Sequence, residues 1–291
     1  MGGILSSLML PFAKHHIDKN MPELPEVETT RRGIAPHVEG KQLTGAIIRQ
    51  HQLRWPIPEE LPSLLTKRKV LSISRRGKYL LFEFSHGHLI VHLGMSGSLR
   101  ICPVTTAPQK HDHVDFLLSN KQCLRFHDPR RFGAILWTQE PILAHKLLNH
   151  LGPEPLSDAF TPELLFSLSR KRSKDIKAFV MDSRIVVGVG NIYANEALFS
   201  AGIRPTKAAG KISKKQSEQL VSEIKKVLQR SITQGGTTLR DFVGGDGKPG
   251  YFVQQLNVYG RAGKPCKVCA RTLKEIRQAG RSTVYCSGCQ S

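Results

Sequence analysis

The chain has 291 residues, 40% of them hydrophobic, enough for one large or two ordinary domains with real cores. Its 43 Lys and Arg against 23 Asp and Glu give a formal net charge of +20, which points to a polyanionic partner, nucleic acid before anionic membrane. No apolar run approaches the ~18 residues that a membrane span needs, and six cysteines, four of them clustered near the C-terminus, are metal-ligand usage in a reducing compartment rather than a disulfide framework.

Residues 1–20 hold a short apolar stretch without the basic flank of a secretory signal, and they read as a disordered extension or a misassigned start. Met21-Pro22-Glu23-Leu24-Pro25-Glu26 follows. Removal of an initiator Met21 would leave Pro22 as a terminal secondary amine beside a carboxylate. Near its reference pKa such an amine carries roughly 10² times more free base at pH 7 than a lysine. Its attack on a sugar aldehydic carbon gives a cationic iminium, which acidifies the adjacent C–H and invites elimination. The competing reading is an extended segment that merely precedes a helix.

Residues 26–36 read as a short helix, and Leu43 to about Trp137 as strands. Leu89, Val91 and Leu93 alternate with His88, Ile90 and His92, while Tyr79 to Phe84 is apolar on both faces. Several such strands predict an antiparallel β-sandwich or barrel. After about Glu140 the period becomes helical. Thr161-Pro162-Glu163 opens one helix, and Ser213 with Gln216 forms a capping box for a longer one that Gly235-Gly236 stops. The glycine-rich stretch from Gly244 to Gly250 reads as a mobile loop.

Cys266-x-x-Cys269 and Cys286-x-x-Cys289 present four thiolates, which complete a closed tetrahedral zinc site of structural rather than catalytic type. Arg271, Lys274, Arg277 and Arg281 lie between the pairs, so the module would offer several cations to a phosphate backbone. A bare stability clip is the alternative. Gly188-Val189-Gly190-Asn191 precedes a helical run, with Asn191 as its N-cap, and leaves amide donors facing outward for a phosphate or, more simply, forms a tight turn. Arg130 and Phe132 in Asp128 to Gly133, and Met95 between Gly94 and Gly97, suggest a cation and apolar wedges on turn tips, against the usual reading of Met and Phe as core.

Taken together, these stretches resemble the bacterial formamidopyrimidine-DNA glycosylases. The resemblance rests on Met21 to Glu28, Arg76 to Leu80, His92 to Ser98, Asp128 to Gly133, Val187 to Phe199, Gly235 to Phe242, Asp246 to Phe252 and the four cysteines. It implies an α+β multidomain fold: an antiparallel β-sandwich over 21–146, a helix–two-turns–helix domain over 150–236, a lesion-capping loop region over 237–255 and a zinc-finger β-hairpin over 256–291. It implies Pro22 as Schiff-base nucleophile, Glu23 as acid/base in sugar-ring opening, Lys78 as proton donor for β-elimination and Arg281 as the residue tied to δ-elimination. His111, Arg130, Arg172, Lys177 and Asn191 match DNA contacts, and Met95, Arg130 and Phe132 match the residues that fill the gap left by an extruded nucleotide.

The expected activity is excision of 8-oxoguanine and formamidopyrimidines from duplex DNA, followed by β,δ-elimination at the abasic site. The expected cofactor is one structural Zn2+ per chain, with no catalytic metal. The expected partner is double-stranded DNA carrying oxidised purines or abasic sites, bound by a monomer in the bacterial cytoplasm, at the nucleoid, with no membrane contact. Extrusion of the base and sequence-independent phosphate affinity, which +20 supplies, are what such chemistry needs. The alternatives are an endonuclease VIII-type glycosylase for oxidised pyrimidines and, if residues 1–20 persist, a non-catalytic damage binder.

Overall fold

The computed structural model describes residues 22–235 and 256–291. The expected extension over 1–20 and the expected capping loop over 237–255 lie outside the described residues.

The first helix, α1 (Leu24–Val38), starts two residues before the expected boundary and ends two after it. Pro25 is tolerated there because the first turn has no intrahelical use for its missing N–H. The Glu26 carboxylate reaches back to accept the Glu23 N–H at 3.0 Å, which closes the start of the helix. Two antiparallel sheets follow. The five-stranded sheet runs in the order β2 (Arg68–Lys69), β1 (Gln42–Ile48), β7 (Asp112–Leu118), β8 (Gln122–His127), β6 (Ser98–Pro103). The four-stranded sheet runs β3 (Ser72–Arg76), β4 (Tyr79–Phe84), β5 (Gly87–His92), β9 (Ala134–Thr138). A five-residue helix, α2 (Leu61–Leu65), lies between β1 and β2 in sequence.

The expected sandwich is present, and side-chain alternation explains its core. Leu80, Phe82, Leu89 and Val91 of one sheet share a buried cluster with Phe116, Leu124 and Phe126 of the other. Leu81 and Ile90 point the opposite way and pack with Leu148, which is why β4 and β5 read as apolar on both faces.

The helical half holds α3 (Pro162–Ser169), α4 (Ile176–Val180), α5 (Asn191–Ser200) and α6 (Lys214–Gly235). Thr161 caps α3, its Oγ1 accepting the Leu164 N–H at 3.1 Å. Ser213 and Gln216 form the expected reciprocal box, with bonds of 3.1 and 3.2 Å. Leu220, Val221, Ile224, Val227 and Leu228 of α6 are buried against α5 residues such as Ala194 and Leu198. The expected N-cap of α5 is corrected: Gly190 occupies that position and Asn191 is the first helical residue.

The C-terminal module is a hairpin of β10 (Lys274–Gln278) and β11 (Arg281–Tyr285). It is bound to α5 by Glu196, whose buried carboxylate accepts the backbone N–H groups of Asn257, Val258 and Tyr259 at 2.8–2.9 Å. Helix α1 packs on α6, so the N-terminal segment is held against the helical half. Among the described residues no helix is long and apolar enough to cross a membrane.

Candidate functional site

The start of α1 meets the start of α5. Glu23 is 3% exposed, and its carboxylate accepts the Ile192 N–H at 3.0 Å and the Tyr193 N–H at 3.5 Å. Those amides are among the four at a helix start that lack an intrahelical partner, and they favour negative charge. Burial pushes the Glu23 carboxyl above its ordinary range, while the Lys78 ammonium and the amides of residues 191–193 pull it back. Opposed influences thus act on one buried carboxyl, with burial the larger of them. The sequence offers Gly190 as part of a phosphate-binding helix start or a tight turn; the structure adds that it makes room, since a Cβ there would lie 2.1 Å from Glu23 Cδ.

A second carboxyl lies one turn along. Glu26 is raised to about 6 by burial and then by the charge of Glu23. Its Oε1 accepts the Tyr193 hydroxyl at 2.6 Å, and that hydroxyl sits 2.7 Å from Ser231 Oγ. One chain of bonds therefore joins α1, α5 and α6 beneath Glu23. Sequence spacing held no sign of it, because Tyr193 and Ser231 are ordinary helix residues until the helices meet.

Lys78 sits half-buried at the tip of the β3–β4 turn. Glu154 fixes that tip: its carboxylate accepts the Gly77 N–H at 2.6 Å, Arg75 Nη1 at 2.7 Å and Arg76 Nη1 at 3.1 Å. Glu28 holds Arg75 from the other side, and its contacts with Arg31, Arg32 and Arg75 overcome burial to keep its carboxyl down at about 2. Glu154 stands in no motif, so nothing in the sequence points to it.

Met95, Arg130 and Phe132 come together on two interlocked turns. Ser96 Oγ donates to Asp128 Oδ1 at 2.7 Å and accepts the Arg130 N–H at 3.2 Å, while Asp128 Oδ2 accepts the Gly133 N–H at 2.8 Å. Gly94 has φ +66, and a Cβ there would lie 2.4 Å from the Phe132 carbonyl carbon, so glycine is required by both conformation and contact. Phe132 is 45% exposed with the Arg130 guanidinium 5.2 Å from its ring centroid. An exposed phenyl under a cation is a surface tip, not core. His111 is partly buried at the edge of this region, its ring 5.9 Å from that of His127, and burial with nearby cations lowers its pKa.

Arg172 is exposed, as a phosphate contact requires, and Asn191 lies partly buried at the α5 start beside Glu23's amide partners. Lys177, matched to a DNA contact by resemblance, is held inside the protein. It is 1% exposed, and its ammonium donates to Ser282 O at 2.9 Å and Thr283 Oγ1 at 2.6 Å on β11. Burial and the Arg281 charge lower it to about 8. Lys177 and exposed Arg281 nevertheless line one small cavity of about 160 Å³, with Lys174, Asp182 and Gln278 on its walls.

The sulfur atoms of Cys266, Cys269, Cys286 and Cys289 all lie within 4.8 Å of one another. Four thiolates at the usual Zn–S distance stand about 3.8 Å apart on a tetrahedron, so the set fits a structural zinc that closes the hairpin module. Among the described residues this is the only group of three or more Cys, His, Asp or Glu suited to a metal, which leaves Asp112, His113 and Asp128 as hydrogen-bonding residues of the sandwich.

Family comparison agrees with this geometry over nearly the whole chain. Residues 21–135 match the formamidopyrimidine-DNA glycosylase N-terminal domain, 151–243 its H2TH domain, and 263–291 the zinc finger found in FPG and IleRS. The formamidopyrimidine-DNA glycosylase of Saccharophagus degradans is 62% identical over 270 residues, 93% of this chain and 100% of the relative. That of Pseudomonas aeruginosa strain LESB58 is 58% identical over the same shares. The solved MutM (Fpg) protein of Thermus thermophilus superposes with a TM-score of 0.80 at 38% identity, over 92% of this chain and 98% of that one. Lactococcus lactis Fpg, solved in complex with DNA containing an abasic site, gives 0.83 at 33% identity over 92% and 99%. With three consecutive family domains and relatives matched end to end, the chain belongs to the formamidopyrimidine-DNA glycosylase family.

Proposed function

We propose that this protein is a bifunctional DNA glycosylase and abasic-site lyase that removes oxidised purines, 8-oxoguanine and formamidopyrimidines, from duplex DNA. The observation that carries the reading is the buried Glu23 carboxyl on the α5 amides, one residue from Pro22 and within the field of Lys78. Relatives support the substrate class: Lactococcus lactis Fpg has been solved with DNA containing Fapy-dG as well as an abasic site.

In this scheme the working polypeptide begins at Pro22. Its secondary amine attacks C1′, the glycosidic bond breaks and the base departs with a proton. Glu23 protonates the ring oxygen as the sugar opens, and the nitrogen lone pair forms the iminium. Lys78, whose charge acts on Glu23, assists base departure and then the β-elimination, in which a C2′ proton is lost and the 3′ phosphate leaves; Arg281 serves the δ-elimination that expels the 5′ phosphate. Met95, Arg130 and Phe132 occupy the vacated stack, and His111, Arg172, Lys177 and Asn191 hold the flanking backbone, Lys177 through the cavity it shares with Arg281. The zinc-bound hairpin keeps Arg281 in place, and the reaction runs in the cytoplasm at the nucleoid.

Borohydride trapping on a duplex with 8-oxoguanine opposite C tests this. A chain starting at Pro22 is expected to give a covalent adduct through that nitrogen, and the chain retaining residues 1–20 none. Cutting of damaged duplex by a chain with a peptide bond at Pro22 would refute the scheme. Glu23→Gln is expected to slow base removal strongly, and Lys78→Ala to slow the damaged purine more than an abasic site.

A further inference from the structure

Cys102 and Cys123 take no part in the zinc set or the proposed chemistry, yet their placement is specific. They are direct register partners across β6 and β8, and their sulfur atoms are 3.4 Å apart. Opposed residues of antiparallel strands have Cα separations of about 4.5–5.5 Å, inside the range of about 4.4–6.8 Å that a disulfide spans. Strand alternation sends Leu99, Ile101, Leu124 and Phe126 into the sandwich core and puts both thiols on the opposite face, with Arg100 and Arg125. That face is charged and covered: Arg125 makes a two-bond pair with Asp115 at 2.7 and 2.8 Å and reaches Ala107 O at 3.3 Å, and Arg49 also holds Asp115.

We infer that Cys102 and Cys123 form an oxidant-accepting dithiol, a modification site at which a peroxide produces a reversible cross-strand disulfide. The chemistry is complete as written. The Cys102 thiolate attacks one peroxide oxygen, the O–O bond breaks and water leaves after proton pickup, giving a sulfenic acid. The Cys123 sulfur then displaces its hydroxyl as a second water. Two S–H bonds are lost, one S–S bond forms and one peroxide is reduced to two waters.

The two thiols are unlike in the way such a pair requires. The Cys123 hydrogen bond and the charges of Arg125 and Arg100 draw Cys102 down to about 7, while that bond, burial and the Asp115 charge push Cys123 far up. Position gives the roles: Cys102, on the edge strand β6, is the sulfur a peroxide reaches first, and Cys123, on the interior strand β8, resolves it. Cys102 is the more accessible, at 5% against 0% exposure. A resolving thiol in contact diverts the sulfenic acid before it climbs to irreversible sulfinic acid. The product would staple the two strands that run into the Met95 turn and the Arg130–Phe132 turn, without touching a zinc ligand.

The test exposes the full zinc-loaded chain to limiting hydrogen peroxide, blocks remaining thiols and maps it by mass spectrometry without reduction. A 102–123 cross-linked peptide lighter by two hydrogens, reverting to two free thiols with dithiothreitol while zinc stays bound, is expected. In Cys123→Ala, and equally in Cys123→Ser if alanine packs poorly, Cys102 should instead gain oxygen irreversibly. Two unmodified thiols under doses that oxidise glutathione, or sulfinic acid at Cys102 of the unaltered chain without a cross-link, would overturn the assignment.

Discussion

Gly190 is the notch into which the Glu23 carboxylate fits, with a would-be Cβ only 2.1 Å from Cδ and 2.4 Å from each oxygen. The backbone at Gly190 is extended, φ −103 and ψ −164, so alanine is conformationally allowed there and its effect is steric alone. Gly190→Ala is expected to displace the carboxylate from the Ile192 and Tyr193 amides. Misplacement by about 1 Å costs on the order of 10² in rate. Single-turnover base release measures it, and a folded variant with an unchanged rate would show that Glu23 does not work from this position.

Stability should carry the mark of Glu26. Its folded-state pKa, about 6, lies above the ordinary 4.5, chiefly through burial and then through Glu23. A raised value means that the folded chain holds the proton more tightly, so this group's contribution is full below pH 4.5 and is lost as pH rises through about 6. The difference is worth about 2 kcal/mol. Glu28, held at about 2, acts in the opposite sense and loses its contribution only as the pH falls from 4.5 towards 2. Glu26→Gln should therefore lose less thermal stability than the unaltered chain between about pH 4.5 and 7, as melting curves at the two pH values would show. Parallel losses would mean that Glu26 titrates normally.

Glu154 joins the residues after the sandwich to the turn that presents Lys78. Glu154→Ala strands the Gly77 N–H and removes a partner from two arginines. A buried donor left unmet costs about 1–3 kcal/mol. The variant should bind undamaged duplex normally and show the same bias as Lys78→Ala, slower on the damaged purine than on an abasic site. Equal slowing on both substrates would separate Glu154 from Lys78.

Zinc removal should act on one end of the molecule. The hairpin module packs a small cluster, Val258, Leu273 and Val284 with the cysteines, against Phe199 of α5, whereas the sandwich core is large and independent of it. Cys269→Ser is expected to release zinc, weaken duplex binding and flatten its salt dependence by removing hairpin cations such as Arg281. The sandwich should melt as before. Unchanged affinity at low zinc content would reduce the module to a clip.

Patterns confined to one segment are legible without the structure. Alternation marks the sandwich, cap residues mark the starts of α3 and α6, and cysteine spacing marks the metal set, because each is a short-range rule. The motif residues Glu23 and Lys78 are legible through resemblance, but their surroundings are not. Glu154, Tyr193, Ser231 and Gly190 act through partners from about 38 to 170 residues away, as in the Glu23–Tyr193 and Tyr193–Ser231 bonds. The burial of Lys177 is illegible for the same reason: it depends on β11, 105 residues onward.

Gln278 offers the most selective test of the phosphate end. Its Nε2 donates to Asp175 Oδ2 at 2.7 Å, immediately before the helix that carries Lys177, while Gln278 itself pairs with Arg281 across the hairpin turn. Its Oε1 is buried with no hydrogen-bond partner among the described residues, on the wall of the cavity that Arg281 also lines. Gln278→Ala removes a bond to a charged acceptor, worth about 1.5–3 kcal/mol, and frees the turn from α4. If Arg281 drives δ-elimination, the variant should shift products from δ towards β with base release and zinc content kept. In an Arg281→Ala background it should change nothing further, since the two act as a unit. Additive losses would place Gln278 in the general stability of the hairpin, and an Arg281→Ala chain with a normal product ratio would instead remove Arg281 from the δ step.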